Sequence, residues 1–234
     1  RGAALLLYGF DDAHRTSFEL SGGTISDNEC SSVLGNEDSG AVHVDNNAEL
    51  HMTGGSISNN RGEQGAGVCV VDWALQANQP ESRTAFVMDG GVISGNEGKN
   101  GGGIYSYSNG VELRAGEISG NTASNLGGGV YSEGNNKYYS TLYLENALVS
   151  GNTAAQGGGM WFCATGSTTV NVTRGIAVFD NVARESSASE AAGDDFVFAG
   201  NHGEGWSATL ADRMLGGGWV SWMRDGSVYL PMGG

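Results

Sequence analysis

The chain has 234 residues, 41 of them Gly and 2 Pro, with 26 acidic against 11 basic side chains and a net charge of -15. Glycine at more than twice its usual ~7%, without the proline and three-residue period of collagen, excludes a triple helix, and 39% hydrophobic residues exclude a disordered chain. The few scattered Lys and Arg exclude nucleic acid, whose phosphates need clustered cations, and no apolar run approaches the ~18 residues of a membrane helix.

The stretch from Arg1 to Tyr8 lacks the basic region and cleavage site of a signal peptide. A start without Met predicts a piece of something longer. Asp11-Asp12 with His14 and Arg15 reads as a solvated charge cluster in a loop. From Phe18 the chain repeats itself: residues 18 to 28 read FELSGGTISDN, 50 to 60 LHMTGGSISNN, 86 to 96 FVMDGGVISGN, 111 to 121 VELRAGEISGN and 142 to 152 LYLENALVSGN. Weaker copies end at Asn181 and, through Phe198-Ala199-Gly200-Asn201, at Asn201. A second signature follows each Asn, as in Gly65-Ala66-Gly67-Val68, Gly101-Gly102-Gly103-Ile104, Gly127-Gly128-Gly129-Val130 and Gly157-Gly158-Gly159-Met160.

Apolar residues alternate with polar ones inside each copy, which is the period of a strand with one buried face. Each unit therefore predicts three short strands: one before the Gly pair, one centred on Ile-Ser and one after the Gly triplet. Strands this short bury their faces only by stacking on the equivalents in the next unit. The expected fold is all-β, a right-handed single-stranded parallel β-helix of about six or seven rungs ~4.8 Å apart. Three interior columns follow. Phe18, Leu50, Phe86, Val111 and Leu142 form the first, with Leu20, Met52, Met88, Leu113 and Leu144 beside them. Ile25, Ile57, Ile93, Ile118 and Val149 form the second, and Val42, Val68, Ile104, Val130 and Met160 the third. Asn28, Asn60, Asn96, Asn121, Asn152, Asn181 and Asn201 predict a stacked amide ladder at a bend, with Asn tolerating the left-handed backbone there.

Residues outward of the third column are His43, Cys69, Tyr105, Tyr131 and Trp161, and the last three predict an exposed aromatic strip. Long connections carrying Trp73 and the pair Tyr138 and Tyr139 emerge beside it. Aromatics on an open face stack on sugars or anchor a protein partner, so His43, Trp73, Tyr105, Tyr131, Tyr138, Tyr139 and Trp161 are the expected ligand-binding residues. Cys30, Cys69 and Cys163 show no metal spacing and read as small part-buried thiols. Past Asn201 the pattern changes to Trp206, Met214, Leu215, Trp219, Trp222, Tyr229 and Leu230 among glycines. Residues 1–201 are thus the expected repeat body and 202–234 a cap over its open end.

The paired motifs resemble the GGA(I/V) and FxxN repeats of bacterial surface proteins, with Ile or Val usually in place of Phe and FxxN kept at Phe198 to Asn201. Chlamydial polymorphic outer-membrane proteins, autotransporter passengers and wall-attached adhesin-like proteins of Gram-positive gut bacteria share this style, and the resemblance spans roughly residues 2 to 201. It implies an extracellular, surface-anchored, non-catalytic adhesin or stalk that binds a host or bacterial cell-surface glycan or protein. Membrane insertion within the segment is not expected. Parallel β-helices also include pectate lyases and other polysaccharide-cleaving enzymes, so a lyase or hydrolase of acidic polysaccharide is the alternative. Its nearest fragments here are Asp194-Asp195 and Asn201-His202-Gly203. Adjacent residues on a strand point to opposite faces, so the Asp pair reads as a turn or strand start. No nucleophile elbow, zinc helix or phosphate loop occurs. No cofactor is expected; a calcium ion in an acidic loop has no assignable ligands.

Overall fold

The computed structural model describes residues 4–11, 13–30, 40–72, 84–107, 110–133, 140–162, 168–172, 176–184, 193–198, 207–209, 222–224 and 227–229. Among them the chain is all-β, without a helix, and organised in long parallel sheets. One sheet of seven strands runs Leu5–Tyr8, Val42–Asp45, Val68–Val71, Ile104–Tyr107, Val130–Ser132, Met160–Phe162, Phe196–Phe198. An eleven-stranded sheet starts at Thr16–Leu20 and passes through Ala48–Met52, Ala85–Ser94, Val111–Ser119 and Ser140–Leu144. Neighbours in each sheet come from successive copies of the repeat, so like residues meet like.

The predicted columns appear in the register. Phe18, Leu50, Phe86, Val111 and Leu142 are Cα partners in turn. So are Ile25, Ile57, Ile93, Ile118 and Val149, and Val42, Val68, Ile104, Val130 and Met160. Their side chains fill one continuous core between the two sheets. Phe18 departs from the expectation: it stands in register but is 36% exposed, because Thr16–Leu20 ends its sheet and has a neighbour on one side only.

The division into sheets also differs from the reading of three separate strands. The strand before the Gly pair and the strand centred on Ile-Ser share one sheet, and Ala85–Ser94 and Val111–Ser119 run through the bend unbroken. Left-handed glycines make this bend, with φ of 89° at Gly91 and 104° at Gly116. A Cβ on either would lie 2.5 Å from Cε of Met52 or Met88, so each methionine fills the space the glycine leaves. A further sheet comes from segments after the ladder Asn: Glu97–Asn100, Thr122–Leu126, Thr153–Ala154 and Val182–Ala183. Their Gly, Ala, Lys and Asn content is poor in strand formers, which hid them in the sequence.

The C-terminal copy needs a correction. Phe196–Phe198 pairs with Met160–Phe162, with Phe196 opposite Met160, so Phe198 belongs to the sheet that follows the glycine triplet rather than to an FxxN strand. Asn201 and His202 lie outside the described residues. Parallel pairing runs past residue 201, where Ser207–Thr209 joins Thr168–Val172. Of the expected cap, Trp222–Arg224 and Ser227–Tyr229 pair antiparallel; Trp206, Met214, Leu215, Trp219 and Leu230 lie outside the described residues.

Candidate functional site

Outward positions of the seven-stranded sheet put Leu6, His43, Cys69, Tyr105, Tyr131, Trp161 and Val197 in one register column. The expected exposed strip is not exposed. Tyr105 and Tyr131 are 6% accessible and Trp161 9%, while His43 and Cys69 are buried, so the inner strands of this sheet are covered on both faces, as parallel sheets commonly are, and Leu6 on its first strand stays exposed. The three rings stack almost parallel, with centroids 5.2 Å apart for Tyr105 and Tyr131 and 5.1 Å for Tyr131 and Trp161. Cys69, Val71, Tyr107, Leu126 and Val197 pack around them as a second apolar cluster. Tyr105 donates its hydroxyl to Glu133 Oε2 at 2.5 Å, and burial, followed by the Glu133 charge, pushes its pKa far above the phenolic range. His43 lies beside Asp45, with Nε2 3.9 Å from Oδ2. Trp73, Tyr138 and Tyr139 lie outside the described residues, as does Cys163; Cys30 and Cys69 are thiols.

The amide ladder is present and directional. In every step the Oδ1 of one Asn accepts both the backbone N–H and the Nδ2 of the Asn one rung earlier: Asn28 donates to Asn60, Asn60 to Asn96, Asn96 to Asn121, Asn121 to Asn152 and Asn152 to Asn181. Each Nδ2 of the interior members also donates to the carbonyl of the previous rung's Ile or Val, as Asn121 does to Ile93 at 2.9 Å. The left-handed residue is not the ladder Asn but the one before it: Asp27, Asn59, Gly95, Gly120, Gly151 and Asp180. That turn points the amide inward, where it satisfies backbone groups that no water reaches.

The pair Asp194-Asp195 forms no open carboxylate site, and Asp12 lies outside the described residues. Asp194 accepts the Ala183 N–H at 2.7 Å and Asp195 accepts the Asn181 amide at 2.9 Å, which places both in the framework. Asp11 folds back on its own turn, taking the N–H groups of Ala13 and His14 and the His14 ring; the ring contact contributes most to lowering its pKa. Arg15 reaches Glu49 at 3.4 Å.

An exposed polar row on the outer face of the eleven-stranded sheet escaped the sequence reading. Glu19, His51, Val87, Glu112 and Tyr143 share a column there. His51 Nε2 lies 2.7 Å from Asp89 Oδ2, Arg114 lies 3.7 Å from the same oxygen, and Arg114 Nε binds Glu112 Oε2 at 2.8 Å. Glu112 holds the guanidinium pKa above its ordinary value. All four side chains remain more than a third exposed. The signal was available: each of these residues sits one place from an interior one, so period two alone puts them outside.

No three His, Cys, Asp or Glu side chains among the described residues are grouped to hold a metal, and no helix there is long and apolar enough to cross a membrane. Comparison with family models, curated proteins and solved structures finds no match for the chain.

Proposed function

We propose that the chain is a right-handed parallel β-helix serving as a non-catalytic, extracellular segment of a bacterial surface protein, adhesin-like, that binds a cell-surface glycan or protein along one face. The observation that carries this reading is the row His51, Asp89, Arg114 and Glu112, whose charged groups stay open to solvent across successive rungs. Exposed ion pairs add little to stability, whereas carboxylate, imidazole and guanidinium groups repeated at strand spacing suit the hydroxyls of a linear glycan or the polar edge of a protein. The buried aromatic column supports the rod, and the contact face moves to the neighbouring sheet.

Glycan-array and cell-binding measurements test this with His51→Ala combined with Arg114→Ala. The expected result is loss of binding with the strand content unchanged; unaltered binding removes this face. The alternative, a polysaccharide lyase or hydrolase, has one observation in its favour. His51 held by Asp89 with Arg114 alongside combines a base with a cation. Turnover of an acidic polysaccharide, detected as reducing ends or unsaturated product and abolished by His51→Ala, would replace the adhesin reading.

A further inference from the structure

The ladder has a stop built into it. Its polarity demands an acceptor beyond Asn181, and among the described residues no Asn takes that place. Instead Asp195 Oδ1 takes the Asn181 Nδ2 at 2.9 Å, and the Asn181 N–H also bonds to this carboxylate. The carboxylate arrives from a different backbone position. Met160 N–H donates to the Asp195 carbonyl, and a Cβ on Gly159 would stand 2.6 Å from that same carbonyl oxygen. Asp195 thus occupies the third place of the glycine triplet, where Gly67, Gly103, Gly129 and Gly159 stand in earlier rungs. At each of those glycines a Cβ would come within 3.0 to 3.1 Å of a ladder Nδ2. In the rung of Asn181 no described Asn fills that space, and the aspartate side chain enters it.

We propose that Asp195 is a pH-responsive plug of the amide ladder, in which uptake of a proton tightens the rung of Asn181. A protonated carboxyl has the hydrogen-bonding pattern of the Asn side chain it replaces: one oxygen still accepts from Asn181 Nδ2, and the other side can now donate. The ionised form keeps the acceptor but carries a charge into a site half removed from water, between Asp194 and Asp180. Desolvation is the main cause raising the Asp195 pKa, the bonds from Asn181 oppose it, and the charges of Asp194 and Asp180 add to the rise. The sign follows from proton binding. The folded rung holds the proton to higher pH than the unfolded chain does, so the rung is firmest in acid and loosens as pH rises through the raised pKa.

Amide hydrogen exchange on the full chain, followed at Gly159, Met160, Asn181 and Val182, reads this directly. Protection relative to intrinsic rates should rise in the wild type as the pH falls from neutral through the raised carboxyl range. Asp195→Asn should show the acid level of protection across that range. Asp180→Asn, which removes one repelling charge and touches no ladder bond, should shift the transition to lower pH without abolishing it. A pH dependence that survives in Asp195→Asn, or a rung less protected in that variant than in the wild type at neutral pH, overturns the proposal.

Discussion

At the scale of single residues, the glycines and asparagines of the repeat serve different constraints. Gly103 has an ordinary backbone but no room: a Cβ would meet the Gly129 carbonyl at 2.6 Å and the Asn121 amide at 3.1 Å. Gly120 has the reverse problem, with nothing within 4 Å of a Cβ but a φ of 63°. Urea denaturation should therefore separate them. Gly120→Ala is expected to cost about 1–2 kcal/mol, the penalty of a left-handed Ala, and Gly103→Ala more than that, because neighbouring backbone in the next rung must shift. Asn121 is costlier still. Replacing it with Leu strands the Asn96 N–H and Nδ2 and the Ile93 carbonyl, and a loss of about 3–5 kcal/mol is expected at ~1–3 kcal/mol for each orphaned group. The same melts measure it.

At the scale of elements, the stacked rings bind consecutive strands of the seven-stranded sheet to one another. Tyr131 lies between Tyr105 and Trp161, so Tyr131→Leu removes two stacking contacts of about 0.5–1.5 kcal/mol each together with ring volume. A loss of about 2–4 kcal/mol in chemical denaturation, with near-ultraviolet circular dichroism reduced, is the expected outcome. Tyr105 adds a pH dependence. Its folded pKa is raised, by burial first and then by Glu133, so the folded state keeps a proton that the unfolded chain releases near pH ~10. The Tyr105 contribution to stability should be level below that value and fall as pH climbs above it. Alkaline titration followed by tyrosinate absorbance should show Tyr105 ionising only as the sheet opens, and Tyr105→Phe should blunt the fall.

At the scale of the whole molecule, a net charge of -15 carried by stacked parallel strands opposes its own compaction. Added salt should raise the melting temperature through screening, and calorimetry in low and moderate sodium chloride checks this. The same charge biases partner choice. Binding at the row of His51, Asp89, Arg114 and Glu112 should weaken as salt rises if ions dominate it, and stay constant if sugar hydroxyls do; binding isotherms at two salt concentrations distinguish these.

Much of the molecule was legible before any coordinates, because each rung repeats the same few requirements. Ile25, Ile57, Ile93 and Ile118 fall at one place in an ungapped motif, and stacking in register is the arrangement that buries all of them at once. The ladder was legible for the same reason, apart from its left-handed residue, which precedes the Asn. What period two could not decide was the fate of the outward positions. His43, Tyr105 and His51 all sit one place from a core residue, yet the first two are buried and the third is open. Alternation says which side of a strand a side chain leaves from, while burial on that side depends on what the rest of the chain brings over it. The role of Asp195 was hidden likewise. It bonds Asn181 across 14 residues from a position the motif reserves for Gly, a contact made by the end of the stack rather than by the repeat. The repeating unit, its columns and its hydrogen-bonded seam thus follow from the residues alone. Which outer face meets solvent, and what accepts the bonds of Asn181, rest on contacts between segments that no local pattern encodes.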